Sequence, residues 1–288
     1  MLKKLVLSIF GCNLNESLIR EVSIIIVDND ALKSAESVVN ELKGKHAAKY
    51  EISYFSYPVQ GLSNVRNELL KNGIKQNPDF LIFVDDDEYV TPDWLNELVG
   101  TIIINNGDMT MGPVNSVVSK KIPGYISCWL DRADYVNNSR LNFIRTGNLI
   151  IRLKSLLERS IWFDPRFNKT GGEDSYFGHQ MIKAGAKVYW ASNAVAFETV
   201  PDNRANIKWI SKRYYNAANK FAFRLKIEKN SSKILKKILI SLVNIIIGFC
   251  ALVLTPFPFK KRYWGLLKIA EGSGGIAGFL SIRYEEYK

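Results

Sequence analysis

Phe80-Leu81-Ile82-Phe83-Val84-Asp85-Asp86-Asp87-Glu88 runs five apolar residues straight into four carboxylates. A short unbroken apolar run predicts a buried strand, here with the acids at its carboxyl tip. Val22-Ser-Ile-Ile-Ile-Val27, closed by Asp28-Asn29-Asp30, repeats the arrangement upstream. Between the two, residue spacing predicts a helix over 31–42, a strand over 52–56 and a helix over 62–72. The segment therefore reads β-α-β-α-β. Such alternation implies an α/β fold with a doubly wound, mostly parallel, Rossmann-like sheet, whose ligands sit beyond the carboxyl ends of the strands. Both acidic tips fall on that edge.

Working outward, Pro92-Asp93-Trp94-Leu95 starts a helix with proline in its first turn. Residues 100–170 read as mixed strands and loops. A further helix is predicted over 175–184 with Gly185 as its C-cap, and Lys187-Val-Tyr-Trp190 as a strand. The chain opens on a helical apolar spacing, Leu2, Leu5, Val6, Ile9 and Phe10. With no small-residue cleavage site after it, this is not read as a signal peptide.

The net charge of +11 is unevenly placed. Residues 204–288 carry 17 Lys and Arg against 4 Asp and Glu, whereas residues 1–203 carry 22 against 24. The basic residues flank an apolar run, Ile238 to Phe259, that holds 22 residues without a charge. As a helix it would extend about 33 Å, enough to cross a bilayer. Asn244, Gly248, Pro256 and Pro258 interrupt it, however, and both flanks are basic. A re-entrant hairpin or an interfacial helix on anionic lipid satisfies both flanks, and nucleic acid is not the expected partner. A buried core helix is the plainer alternative. Three dispersed cysteines, Cys12, Cys128 and Cys250, fit a reducing compartment better than a disulfide framework. With His46 and His179 the only histidines, any metal site must be built from carboxylates, which favours Mg²⁺ or Mn²⁺.

Clustered carboxylates at strand and helix ends suit two tasks, holding a divalent cation and taking a proton as a general base. Asp85-Asp86-Asp87 offers carboxylates two apart, on one side of an extended tip. Gly171-Gly172-Glu173-Asp174 offers two more at a helix start, where glycines let the backbone bend close to a ligand. Taken singly, the first is equally a solvated acidic turn and the second a plain helix N-terminus.

Taken in order, Val27-Asp28-Asn29-Asp30, Gly61-Leu-Ser-Asn-Val-Arg66-Asn67, Phe83-Val-Asp85-Asp86-Asp87-Glu88 with Pro92-Asp93-Trp94-Leu95, Thr146-Gly147-Asn148, Phe163-Asp164, Gly171-Gly172-Glu173-Asp174 and Glu198-Thr-Val-Pro201 with Arg204 resemble the motifs of family 2 glycosyltransferases. The likeness is greatest to the glucosyltransferases of succinoglycan-type exopolysaccharide synthesis and covers roughly residues 1–215. It implies a GT-A domain over 1–215, followed by a basic, hydrophobic, membrane-associating helical region over 216–288. It further implies inverting transfer from a UDP-sugar to a glycan or lipid-linked oligosaccharide, at the cytoplasmic face of a bacterial inner membrane. Under the resemblance Asp28 and Asp30 lie near uracil and ribose, and Arg66 near the diphosphate. Asp85 serves ribose or metal, Asp87 the metal, and Asp174 is the base. Asp86, Glu173, Arg204 and Arg213 join the nucleotide-sugar contacts, the two arginines being equally ordinary surface cations.

Family members begin with a strand and a nucleotide-contacting loop, and residues 1–9 here match the helix that follows them. The resemblance thus implies a chain shortened at that end, with exposed strand edges and a reduced base pocket. Alternatively, Leu5 to Phe10 is that first strand. The competing readings are a catalytically impaired nucleotide-sugar-binding relative and a membrane-associated scaffold. An NAD-dependent dehydrogenase is excluded by the lack of Gly-x-Gly-x-x-Gly after an early strand. The glycines from Gly272 to Gly278 read instead as tight helix packing.

Overall fold

The computed structural model describes residues 1–46, 50–118, 121–130, 133–229, 231–254, 259–282 and 284–285. In chain order the elements begin α1 (Leu2–Phe10), β1 (Ser23–Asp28), α2 (Glu36–His46), β2 (Glu51–Ser56), α3 (Leu62–Gln76), β3 (Phe80–Val84) and β4 (Glu88–Val90). Next come α4 (Trp94–Ile104), β5 (Met109–Met111), β6 (Val114–Val118), α5 (Gly124–Leu130), β7 (Arg140–Leu141), β8 (Asn148–Arg152) and α6 (Leu153–Arg159). After a 3-10 turn at Pro165–Phe167 follow α7 (Glu173–Lys183), β9 (Val188–Trp190), β10 (Ala196–Val200), α8 (Ile207–Ile227), α9 (Ser231–Leu254) and α10 (Phe259–Phe279). They pack as two compact units. The first takes Met1–Val117, Arg132–Asn168 and Glu173–Thr199; the second takes Val118–Asp131, Lys169–Gly172 and Val200–Lys288. Residues 200–215 therefore join the second unit rather than the first, unlike the boundary read from sequence.

In the first unit β1 and β2 pair in parallel from Ser23 opposite Glu51 to Asp28 opposite Ser56. A five-stranded sheet of order β3-β8-β5-β9-β7 carries the acidic run, and a three-stranded one joins β4, β10 and β6. Within the larger sheet β5 and β9 are parallel. Strand β8 runs antiparallel between β3 and β5, and β7 antiparallel to β9, so the sheet is mixed rather than mostly parallel. Residues Leu149, Ile150 and Ile151 of β8 are fully buried, facing two apolar clusters on either side. Helix α2 starts later than predicted, because the loop after β1 stays wound around Asp28. Residues 5–10 are helical rather than extended, and Leu5, Val6, Ile9 and Phe10 are the buried face of α1. Helix α7 ends as expected at Gly185, whose φ of 89° permits the reversal sealed by the bond from the Ala186 N–H to the Met181 carbonyl.

In the second unit α10 lies between α8 and α9. Gly274 meets the Tyr215 backbone, and a Cβ at Gly278 would stand 2.6 Å from the Asn219 carbonyl, both on α8. Gly265 and Gly272 do the same for α9, where a Cβ at Gly272 would stand 2.6 Å from Ile245. The glycine stretch is thus a packing seam, as its sequence context predicted. The buried positions of α9 are Ser241, Asn244 and Gly248. Two of the residues that interrupt the apolar run therefore form its inner seam, and Leu239, Leu242, Val243, Ile246, Phe249 and Val253 are exposed on the helix. Among the described residues α9 alone is long and apolar enough to cross a membrane. Pro256 and Pro258 lie outside the described residues.

Candidate active site

The acidic tip is a tight turn. Glu88 folds back, its backbone N–H donating to the Asp85 carbonyl while its Oε2 accepts from the Asp85 N–H at 3.3 Å. That turn buries Glu88 and leaves Asp85 and Asp86 exposed. Asp87 is half-buried, and its carboxyl is pushed up to about 6, first by burial and then by the charges of Glu198, Asp85 and Asp86. Glu198 arrives from β10, where it pairs with Glu88. Four carboxylates at one strand tip hold an excess of negative charge that a divalent cation would relieve, and an all-oxygen set suits Mn²⁺ or Mg²⁺. Among the described residues no three such side chains are already placed around a single ion position.

Helix α3 is the fixture on which the second acidic motif rests. Ser63 Oγ donates to the Asp164 carbonyl at 2.7 Å, and Asn168 Oδ1 accepts from the Asn64 N–H at 3.1 Å. Asn67 clasps Phe163 at both backbone atoms, donating to its carbonyl at 2.8 Å and accepting from its N–H at 2.9 Å. Gly61, with φ of 114°, leaves the space that the Asn168 side chain fills. The run from Gly61 to Asn67 is thus largely a docking strip for residues 163–168. Arg66 completes it, one Nη meeting Glu173 Oε1 and the other reaching Asp85 Oδ1 at 3.4 Å. Gly171 and Gly172 take φ of 69° and 91°, so the chain turns into α7 by a path that L side chains rarely adopt.

The predicted residues divide accordingly. Arg66, Asp85, Asp86, Asp87, Glu173 and Asp174 come together at the tip of β3 and the start of α7. Glu173 is buried at 2% exposure with its carboxylate on Arg66, while Asp174, next along the helix, is half-exposed. Asp28 is buried at the end of β1, where Oδ1 accepts from the Asp30 N–H and Oδ2 from the Ala35 N–H and the Tyr54 hydroxyl. Burial and that carboxylate push the Tyr54 phenol up to about 12. Asp30 accepts from the Leu32 N–H, which holds its carboxyl below the usual range. Arg204 and Arg213 belong to the second unit, both guanidinia lying over the Trp209 ring at 6.0 and 5.4 Å. Sequence reasoning missed the roles of Glu88, Ser63, Asn67 and Asn168, whose partners lie far along the chain or in a turn without a local signature.

A sequence profile of glycosyl transferase family 2 matches residues 12–150. The succinoglycan biosynthesis protein ExoM of Rhizobium meliloti (strain 1021) is 31% identical over 276 residues, covering 92% of this chain and 85% of that one. This chain belongs to glycosyl transferase family 2. A second relative, the chondroitin synthase of Escherichia coli, is 24% identical over 231 residues, and there the match covers 68% of this chain but 33% of the synthase. Among solved structures, S. aureus TarS 1-349 in complex with UDP-GlcNAc superposes with a TM-score of 0.57 at 13% identity, over 98% of this chain and 87% of TarS. GalNAc-T7 with UDP, GalNAc and Mn²⁺ gives 0.53 at 14% identity, over 76% and 47%. At such identities the likeness is one of fold, and the fold is GT-A-like. The chain is a family 2 glycosyltransferase related to enzymes of exopolysaccharide and cell-wall polysaccharide synthesis.

Proposed function

We propose that the enzyme transfers a hexosyl group from a UDP-sugar to a glycan or lipid-linked oligosaccharide, with inversion, using a divalent cation. The observation that carries the reading is the Arg66 bridge. It joins Asp85, on the turn that carries Asp87, to Glu173, the residue before Asp174, and so ties the segments bearing the metal-binding candidates and the base to each other. Asp87 with Asp85 would hold Mn²⁺ or Mg²⁺, and the bound ion would neutralise charge developing on the leaving diphosphate. Asp174 takes the proton from the acceptor hydroxyl as that oxygen bonds to the anomeric carbon. The carbon–oxygen bond to UDP breaks on the opposite face, so a single base suffices. Glu173 works as a positioning residue for Arg66, and Asp28 as the clasp of the loop that presents Asp30.

The second unit supports placement on the cytoplasmic face of a bacterial inner membrane. The exposed apolar side of α9 meets lipid, and the exposed Lys233 and Lys236 meet anionic headgroups, whereas Lys237 is turned inward onto Glu271. An interfacial hairpin fits better than a simple span, because basic residues flank the apolar run in sequence on both sides, Lys233 and Lys236 before it and Lys261 and Arg262 after it.

Calorimetry of UDP with and without Mn²⁺, beside Asp87→Ala, tests the donor site. Manganese-dependent binding that disappears in the variant is expected. A folded wild-type chain that binds no UDP would instead mark an impaired relative or a scaffold.

A further inference from the structure

We propose that Lys220 of α8 is a positioning residue for Asp174, holding the glycine turn that sets where α7 begins; this rests on the glycosyltransferase reading above, with Asp174 as the base. Residues 169–172 pack with the second unit, whereas Asn168 before them and Glu173 after them belong to the first. Asn168 is fixed to α3 through the Asn64 N–H, and Glu173 is fixed through the Arg66 guanidinium. The four residues between decide how the helix that carries Asp174 leaves that anchor.

The helix start does not by itself settle its direction. Glu173 is held through Oε1, and its buried Oε2 has no hydrogen-bond partner among the described residues. Asp174 accepts from the neighbouring Ser175 N–H at 2.6 Å, a bond that moves with the helix and ties it to no other element. Gly171 and Gly172 both have positive φ, and two adjacent glycines resist bending less than any other pair. Such a turn takes its shape from what lies against it.

Lys220 supplies that surface. Its Cβ, Cδ and Cγ stand 3.3, 3.4 and 3.6 Å from where a Cβ on Gly172 would lie, so its alkyl stem covers the bare face of the glycine. Lysine stems pack as apolar surface in this way while the charged head stays polar. The stem is steadied by its neighbour Asn219, buried at 2% exposure, whose Nδ2 donates to the Gly274 and Ile282 carbonyls at 3.3 and 2.9 Å. Asn219 Oδ1 accepts from the Tyr284 N–H at 3.4 Å. A buried amide has to keep such partners, so α8 is locked to α10 and to the C-terminal segment at this level. Thr170, buried at 4% exposure, fixes the start of the turn. Lys169 meets Glu285 at 3.7 Å, but an exposed pair of that length adds little. The Lys220 stem is left as the contact that shapes the second glycine. Because misplacing a reacting group by about 1 Å can cost on the order of a hundredfold in rate, a loosened turn shows in turnover before it shows in donor binding.

Hydrogen exchange and kinetics on the full chain test the assignment, with Lys220→Ala, which removes Cγ and Cδ, beside Lys220→Met, which keeps a stem without the charge. In UDP and Mn²⁺, the amides of residues 171–176 should exchange roughly tenfold faster in Lys220→Ala and at the wild-type rate in Lys220→Met. UDP release from UDP-glucose, UDP-galactose and UDP-N-acetylglucosamine, with a membrane extract as the source of acceptor, reads the chemical step. There kcat should fall roughly tenfold in Lys220→Ala with the donor KM unchanged, and Lys220→Met should restore it. Thermal melts show that both variants fold. The proposal is overturned if Lys220→Ala exchanges like the wild type, or if its KM rises while kcat holds. It is equally overturned if Lys220→Met is as impaired as Lys220→Ala, which would assign the effect to the ammonium. A wild type that neither binds UDP nor releases it from a donor removes the transferase reading, and the positioning role falls with it whatever the exchange at Gly172 shows.

Discussion

Asp87 shows how one carboxylate answers two opposing demands. Its folded pKa of about 6 stands above the ordinary 3.8, so acid favours the metal-free fold. That contribution is complete below about pH 4 and is lost as the pH rises through 6. In EDTA, Asp87→Asn should therefore melt higher than wild type at pH 8 and match it below pH 4. Cation binding needs the ionised form and runs the other way. Manganese-dependent UDP binding should fall roughly tenfold per pH unit below 6, and Glu198→Gln should move that midpoint to lower pH. The acids themselves were legible in the sequence because a strand tip needs only local pattern. The Arg66 bridge was not, since Arg66 and Glu173 meet across 107 positions and nothing near either residue announces the other.

At the scale of elements, helix α3 is best understood as a clamp. Its polar first turns hold residues 163–168, and through them the start of α7. Replacing Asn67 by alanine strips both bonds from the Phe163 backbone within a buried aromatic stack, Phe163 lying 4.3 Å from Phe177. A loss of about 2–4 kcal/mol is expected in urea unfolding, since the abandoned donor and acceptor find no water. Asn67→Asp, which keeps the acceptor, should lose less. Strands β1 and β3 and helices α3 and α7 were readable from apolar runs, caps and spacing. The direction of β8 was not: Asn148-Leu-Ile-Ile-Arg152 is equally apolar read either way, and only its two neighbours decide that it runs antiparallel. The start of α2 escaped for a similar reason, because the Asp28 carboxylate holds residues 29–35 in a turn that helical propensity alone would have absorbed.

Across the whole molecule, the candidate catalytic acids gather in one unit and the exposed apolar helix in the other. The chain should therefore float with vesicles containing phosphatidylglycerol and less with neutral ones, weakening in high salt as the exposed Lys233 and Lys236 are screened. Leu239→Asp with Ile246→Asp should abolish flotation while leaving UDP affinity intact; equal flotation of wild type and variant would remove α9 from the lipid contact. The two units are also threaded through one another in sequence, which bears on how the protein is made. Ile126 and Leu130 bury against Ile210 and Leu267. During synthesis they leave the ribosome about 80 residues ahead of the first of those partners, and the wait must be covered by something else. The first unit can close when Thr199 emerges, but the second cannot until the last helix is out. A ribosome stalled between them therefore leaves an apolar helix bare to solvent, and chain elongation past residue 267 becomes the step that commits the newborn enzyme to its finished form.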